Sequence, residues 1–277
     1  MLKLIFVFLL THFSVGLLFT ILFISLKEIG KLYFRVTTLV ACALIVFALL
    51  AKPFGDIAFF PLFNFNETNQ VFSQKLTYFF FLATALFLII YNIIHPRLHK
   101  PLLALSFIFG ILGISSYSVA IYQPLLIDSQ MIALFVANGI GGTLILGSVL
   151  GAMITGHWYL VQHKLSLSPL KNSSLIYLAS VLLRIILIGL SILTFFKMKE
   201  GRELVNAILS LNGSGYIFIG RVVFGLIVPL IFGVMVWKST KIRSTQSATG
   251  ILYATIILVL MGETFGKVLF FLIGIPL

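Results

Sequence analysis

The sequence predicts an all-α protein, a polytopic transmembrane helix bundle of about eight spans with both termini on the non-cytoplasmic side. Three observations predict it. Hydrophobic residues make up 60% of the 277 residues and charged residues 9%, too little polar material to coat a water-soluble globule of that size. The chain breaks into roughly eight apolar stretches of the length, about 20 residues each, that crosses a hydrocarbon core about 30 Å thick. The net charge of +12 is concentrated in the connections, where it reads as membrane topology and not as nucleic-acid binding. Little chain remains for a soluble part, so residues 1–277 are read as a single transmembrane domain.

In chain order the spans are expected at 3–26, 33–51, 75–94, 102–124, 131–158, 174–196, 216–237 and 249–275. The first has the Lys and apolar run of a secretory signal, but it continues without a small-residue cleavage pattern and reads as a retained helix. The second contains the single cysteine, Cys42, which excludes an internal disulfide and any CxxC motif. Between the second and third, Lys52 to Gln74 contains the apolar piece IAFFPLF and suits an interfacial position. The third and fourth are joined by a tight turn at Pro96, and the fifth ends in the belt aromatics Trp158 and Tyr159. A second longer connection, Lys197 to Gly215, follows the sixth; the seventh contains Pro229 and ends at Trp237 beside Lys238.

Orientation follows from the basic residues. Connections after spans one, three, five and seven carry Lys27, Lys31, Arg35, Arg97, Lys100, Lys164, Lys171, Lys238, Lys241 and Arg243 against one acid, Glu28. On the opposite face, Lys3, Lys52, Lys75, Lys197, Lys199 and Arg202 are offset by Asp56, Glu67, Asp128, Glu200 and Glu203. The positive-inside rule therefore puts the odd connections in the cytoplasm, and the expected location is a bacterial cytoplasmic (inner) membrane.

Ionisable residues inside a bilayer are costly, so His12, Arg184, Arg221, Glu263 and Lys267 mark candidate chemistry. With the N-terminus outside, His12, Asn138, Arg221, Glu263 and Lys267 fall in the outer half, with Arg184 near the middle. The five form the expected ligand site. The purely structural alternatives pair Glu263 with Lys267 at i,i+4 and let Arg221 snorkel to the surface, or give Glu263 a structural ion pair with Arg221. In MGETFGKVLFF, Gly262 and Gly266 flank Glu263 on a small-residue face that packs closely on a neighbour, and a carboxylate there suits quinol oxidation or proton-coupled transport. Gly147 and Gly151 of span five read as packing. HFSVG at 12–16, NGIGG at 138–142 and RVVFG at 221–225 each place a polar residue and a glycine four apart, on one helix face.

A b-type haem needs two histidines in one plane on facing helices, and only His95 with His157 approaches that, so haem is not expected. Nor is a metal site. No HExxH, Walker A, GxSxG or dinucleotide fingerprint occurs, which argues against a self-contained soluble-type enzyme. On the inner face, GHWYLVQHKLSLSPLK at 156–171 gathers histidines, aromatics and lysines, and RSTQSATG at 243–250 is expected beside it. An aromatic belt with snorkelling lysines explains most of this; the functional reading is a partner-docking or headgroup surface of His157, Trp158, Tyr159, Lys164 and Arg243.

The first span, FVFLLTHFSVGLLFTI, resembles the opening helix of the DMSO-reductase membrane anchor family (DmsC-like, related to NrfD), and GETFGKVLFFLIGIPL resembles its closing helix. The HLG-type loop that this family carries after its first or second span is not found here. The resemblance implies a cofactor-free helical anchor that holds an iron–sulfur and a molybdenum subunit at the membrane and exchanges electrons with quinol. On that reading the bound small molecule is a quinone, Glu263 or His12 accepts the quinol proton, and Arg221 or Lys267 polarises a quinone oxygen. Two other classes fit the same residues: a proton-coupled small-solute transporter, which calls for matched broken helices in the two halves, and a non-catalytic scaffold or assembly subunit.

Overall fold

The computed structural model describes residues 2–51, 69–94, 99–122, 129–162, 165–210 and 213–277. These form helices α1 (Leu2–Leu22), α2 (Leu26–Ile29), α3 (Lys31–Leu50), α4 (Asn69–Ile93), α5 (His99–Tyr122), α6 (Ser129–Val161), α7 (Ser168–Lys197), α8 (Lys199–Leu209), α9 (Gly213–Val222), α10 (Val228–Lys241) and α11 (Thr245–Ile273). A π-helical turn, Val223–Ile227, joins α9 to α10 into one span. Eight helices are long and apolar enough to cross a membrane, and each coincides with an expected span to within a few residues at most ends. The chain is an integral membrane protein. The interfacial stretch expected from Lys52 lies, up to residue 68, outside the described residues.

Which side chains face out confirms the bilayer as solvent. Leu82, Leu86, Ile89 and Ile93 of α4, and Leu182, Ile186, Leu190 and Leu193 of α7, recur every three or four residues and are exposed. Serines, threonines and glycines are turned inward instead. Hydroxyls of Thr37, Thr143, Thr155, Ser180 and Thr255 return to the carbonyl four residues earlier, so they lie inside without leaving a polar group unpaired.

The principal packing divides the spans into two groups of four, α1, α3, α4 and α5, and α6, α7, α9–α10 and α11. They meet chiefly along α1 and α6. There Gly16 and Gly147 face each other so closely that a Cβ on either would enter the other helix's backbone, and Gly151 seats Thr20. Thr20 Oγ1 donates across the seam to the Gly147 carbonyl at 3.4 Å.

Some boundaries differ from those expected. The first helix stops at Leu22, four residues early, where Phe23 and Ile24 make tightened bonds to the Thr20 and Ile21 carbonyls. Gly30, at φ 94°, then turns the chain into α3. Residue 168 rather than 174 opens the sixth span, because Pro169 is suited to the first turn of a helix. Within the second long connection, α8 is amphipathic and buries Val205 and Ile208 against Phe195 and Leu226. At the far end of α11, Gly274 takes the left-handed conformation at φ 77° and its N–H bonds to the Phe270 carbonyl. The chain folds back there, burying Ile275 and Leu277.

Candidate functional site

The polar residues expected in the membrane come from five helices, and the packing of α1, α6, α7, α9 and α11 draws them together. His12, Asn138, Arg221, Glu263 and Lys267 are all buried, none more than 3% exposed. Arg184 joins them from α7, and it is the hub. Its Nε and Nη2 donate to Glu263 Oε1 and Oε2 at 2.9 and 3.0 Å, a two-point pairing that matches the guanidinium fork to the carboxylate. Its Nη1 donates to Asn138 Oδ1 at 2.8 Å, and Nη2 also reaches the main-chain oxygen of Leu277 at 3.0 Å. Asn138 is held in turn by its own Nδ2, which donates to Ser191 Oγ at 2.8 Å.

Arg221 approaches from the opposite side, and its Nη2 donates to Glu263 Oε1 at 2.6 Å. That approach depends on local backbone. The Pro229 ring would collide with the carbonyl four residues back, that of Gly225, and the helix is widened into the π turn over 223–227. Within the turn Gly225 lies directly against Gly262 of α11, so the helices touch backbone to backbone one residue before Glu263. The Tyr177 hydroxyl caps the break by donating to the Pro229 carbonyl at 2.7 Å.

Of the structural alternatives, the ion pair of Glu263 with Arg221 is present, and the i,i+4 pairing with a snorkelling Arg221 is corrected. Glu263 pairs with Arg184 and Arg221 from other helices and not with Lys267, and Arg221 is fully buried, so it does not snorkel. The Lys267 ammonium instead sits 3.7 Å from the centre of the Phe8 ring, which also stacks on His12 at 3.5 Å between centroids. Gly142 closes the arrangement: a Cβ there would lie 3.1 Å from Glu263 Oε2 and 3.4 Å from His12 Cδ2.

Two properties decide what the site can do. It gathers three basic side chains and one acid in a region without bulk water, so an electron-rich group is the missing complement. And among the described residues, His12 Nε2 and Arg221 Nε and Nη1 are buried without a hydrogen-bond partner. Such groups cost free energy unless something accepts from them. Glu263 is already engaged at both oxygens by three guanidinium bonds, whereas His12 shares a 3.4 Å hydrogen bond with the Thr11 hydroxyl through Nδ1 and leaves Nε2 unengaged. A crevice of about 10 Å³, room for about one water, reaches Lys267 between Leu4, Ile5, Ile121 and Phe271.

The inner cluster divides. His157 is exposed and its Nδ1 shares a 2.7 Å hydrogen bond with the Tyr253 hydroxyl, and Arg243 donates to the Leu165 carbonyl at 3.2 Å, so 243–250 does lie beside 156–171. Tyr159 is turned inward, bonded to the Ser166 carbonyl, and shapes the connection instead of presenting a surface. Trp158 is half-buried against Tyr33. Lys164, and the histidines His95 and His163, lie outside the described residues. Among the described residues no three His, Cys, Asp or Glu side chains gather as a metal site.

Sequence reasoning placed Arg184 apart from the other five, near the middle of the membrane. The signal that would have joined it is the pairing of a lone buried acid with more than one cation: one carboxylate among three basic residues must be shared. No protein-family model and no curated protein matches the chain.

Proposed function

We propose that this protein is a membrane-anchor subunit of a respiratory oxidoreductase complex, and that the buried cluster binds the polar head of a quinone or quinol. The observation that carries the reading is the set of unpaired polar atoms, the Arg221 Nε and Nη1 donors with His12 Nε2, beside Lys267 in a cluster with basic residues in excess. A quinone carbonyl, and more so the oxyanion that develops on reduction, is an acceptor of the kind such donors stabilise in a low-dielectric site. Lys267 and Arg221 polarise the oxygen, and His12 takes up or delivers the proton. Glu263 and Arg184 hold Arg221 in place. The crevice beside Lys267 is smaller than a quinone ring, so the ring enters as Phe271 and Ile121 swing aside. Positive-inside counting places this cluster in the outer half of the membrane and the basic connections, with His157 and Arg243, toward a cytoplasmic partner.

The test is a quinone-analogue titration on purified protein. Lys267→Met should weaken binding by about tenfold or more, the loss of one charged hydrogen bond, and His12→Phe should do likewise. No binding by the parent chain, or binding as tight as the parent's in both variants, sinks the site. Co-purification from the native membrane with an iron–sulfur absorbance band supports the anchor role, and a colourless lone chain overturns it.

One observation favours a second reading, proton-coupled transport of a small solute: span seven is widened by the π turn beside a buried arginine, one of the two matched helix irregularities such a transporter calls for. Proton-driven uptake into vesicles carrying the purified chain, abolished by Arg221→Met, would establish it over the first.

A further inference from the structure

Far from the buried cluster, at the opposite end of α1, a cleft of about 730 Å³ opens between the end of α1, α2, the start of α3, the end of α4 and the start of α5. Its size falls in the range of small-molecule sites, about 300–1,000 Å³. The floor is apolar, built by Ile21, Ile24, Phe34 and Leu103, all buried. Lys27 and Lys100 stand at its rim, both exposed. The acid nearest in sequence, Glu28, is directed away: its Oε2 accepts from Ser166 Oγ at 3.2 Å, across on the connection before α7. The rim therefore carries two ammonium groups with no carboxylate facing them among the cleft's lining residues.

We infer that this cleft is a binding site for an anionic phospholipid, its acyl chain against Ile21, Phe34 and Leu103 and its phosphate between Lys27 and Lys100. An apolar slot that ends in two cations at the membrane boundary matches both halves of such a molecule at once. A zwitterionic lipid offers the same chain but carries its own cation to the rim. The early stop of α1 makes the slot: had the helix run on to residue 26 as its apolar pattern suggests, Phe23 to Leu26 would not turn aside to line it. Lys27 and Lys100 belong to connections on the basic face, so the lipid is one of the inner leaflet, where anionic headgroups hold juxtamembrane lysines.

Native mass spectrometry of the full chain, titrated with phosphatidylglycerol or phosphatidylcholine of the same acyl chains, tests this. Phosphatidylglycerol is expected to bind more tightly, and the Lys27→Gln/Lys100→Gln variant to lose about twenty-five-fold, each surface lysine contributing about a factor of five. A charge-matched control, Lys171→Gln/Lys238→Gln, should bind as the parent does. Ala104→Phe, which fills the cleft without touching charge, should weaken both lipids. Equal affinity of the parent for the two lipids overturns the proposal, as does an equal loss in the control variant or unchanged binding in Ala104→Phe. Thermal unfolding in detergent confirms that each variant is folded, so a loss of binding reports on the site.

Discussion

Replacing Glu263 with Gln keeps the size and shape of the side chain and removes its charge, which strands two buried guanidinium groups. In the parent, Glu263 Oε1 accepts from Arg184 Nε at 2.9 Å and Arg221 Nη2 at 2.6 Å, and Oε2 accepts from Arg184 Nη2 at 3.0 Å. An amide can keep Oε1 as an acceptor for both, but its NH₂ group then faces Arg184 Nη2, donor against donor. Removing one partner of a buried ion pair costs about 3–5 kcal/mol, because the other partner is left uncompensated. At about 1.4 kcal/mol per factor of ten, the unfolding equilibrium of Glu263→Gln should shift by some hundred- to several-thousand-fold. Reversible unfolding in mixed detergent micelles, followed by fluorescence of Trp158 and Trp237, reads this directly. Arg221→Met in the same chain removes one stranded charge, so the double variant should be more stable than the sum of the two single losses by about 1 kcal/mol or more. A Glu263→Gln variant within about 0.5 kcal/mol of the parent, or two losses that simply add, would refute the shared pairing.

Gly147→Leu should separate α1 from α6, since no side chain fits between the facing backbones at Gly16; a loss of about 1–3 kcal/mol or more in the same unfolding assay is expected, and parent-like stability would refute the seam. Gly274→Ala imposes a side chain on a left-handed residue at φ 77°, at a cost of about 1–2 kcal/mol, and should speed amide exchange at Ile275 and Leu277, which the reversal holds inside. Unaltered exchange would show that the tail is held by something other than the turn. For orientation, Lys238→Cys and Lys197→Cys in a Cys42→Ser background are treated in intact cells with a membrane-impermeant maleimide. Labelling at 197 and protection at 238 is the expected result, and the reverse would invert the topology.

The eight spans were legible because an uninterrupted apolar run of about 20 residues suits a hydrocarbon core and little else, and a helix in lipid satisfies its own backbone. Where a span ends was less so. Nothing in the apolar pattern of residues 3–26 marks Leu22 as the stop, since Phe23 and Ile24 are as hydrophobic as what precedes them. The π turn was equally hidden: Pro229 announced a disturbance, but whether the helix would kink, break or widen depends on what receives it, here Gly262 across the interface. Pairing was least legible of all. The sequence offered Lys267 or Arg221 as the partner of Glu263, whereas contact in three dimensions kept Arg221 and added Arg184 from a third helix.

Yet one weak pattern located the cluster better than any pairing rule. The three segments with a polar residue and a glycine four positions on, beginning at His12, Asn138 and Arg221, come from three spans and meet in the cluster: Arg221 bonds to Glu263, Asn138 to Glu263's partner Arg184, and His12 lies across Gly142 from Glu263. Their glycines explain why. Gly16 lets α1 meet α6 at Gly147, Gly142 leaves room for Glu263 and His12, and Gly225 lets α9–α10 meet α11 at Gly262. A buried polar side chain in a bilayer needs partners on other helices within hydrogen-bond reach, and long side chains alone cannot bridge helices held apart by leucines. Small residues one turn away bring the axes close enough for short, direct bonds. The spacing is therefore a condition for assembling polar groups inside a membrane, and it marks where they assemble without revealing which donor will face which acceptor.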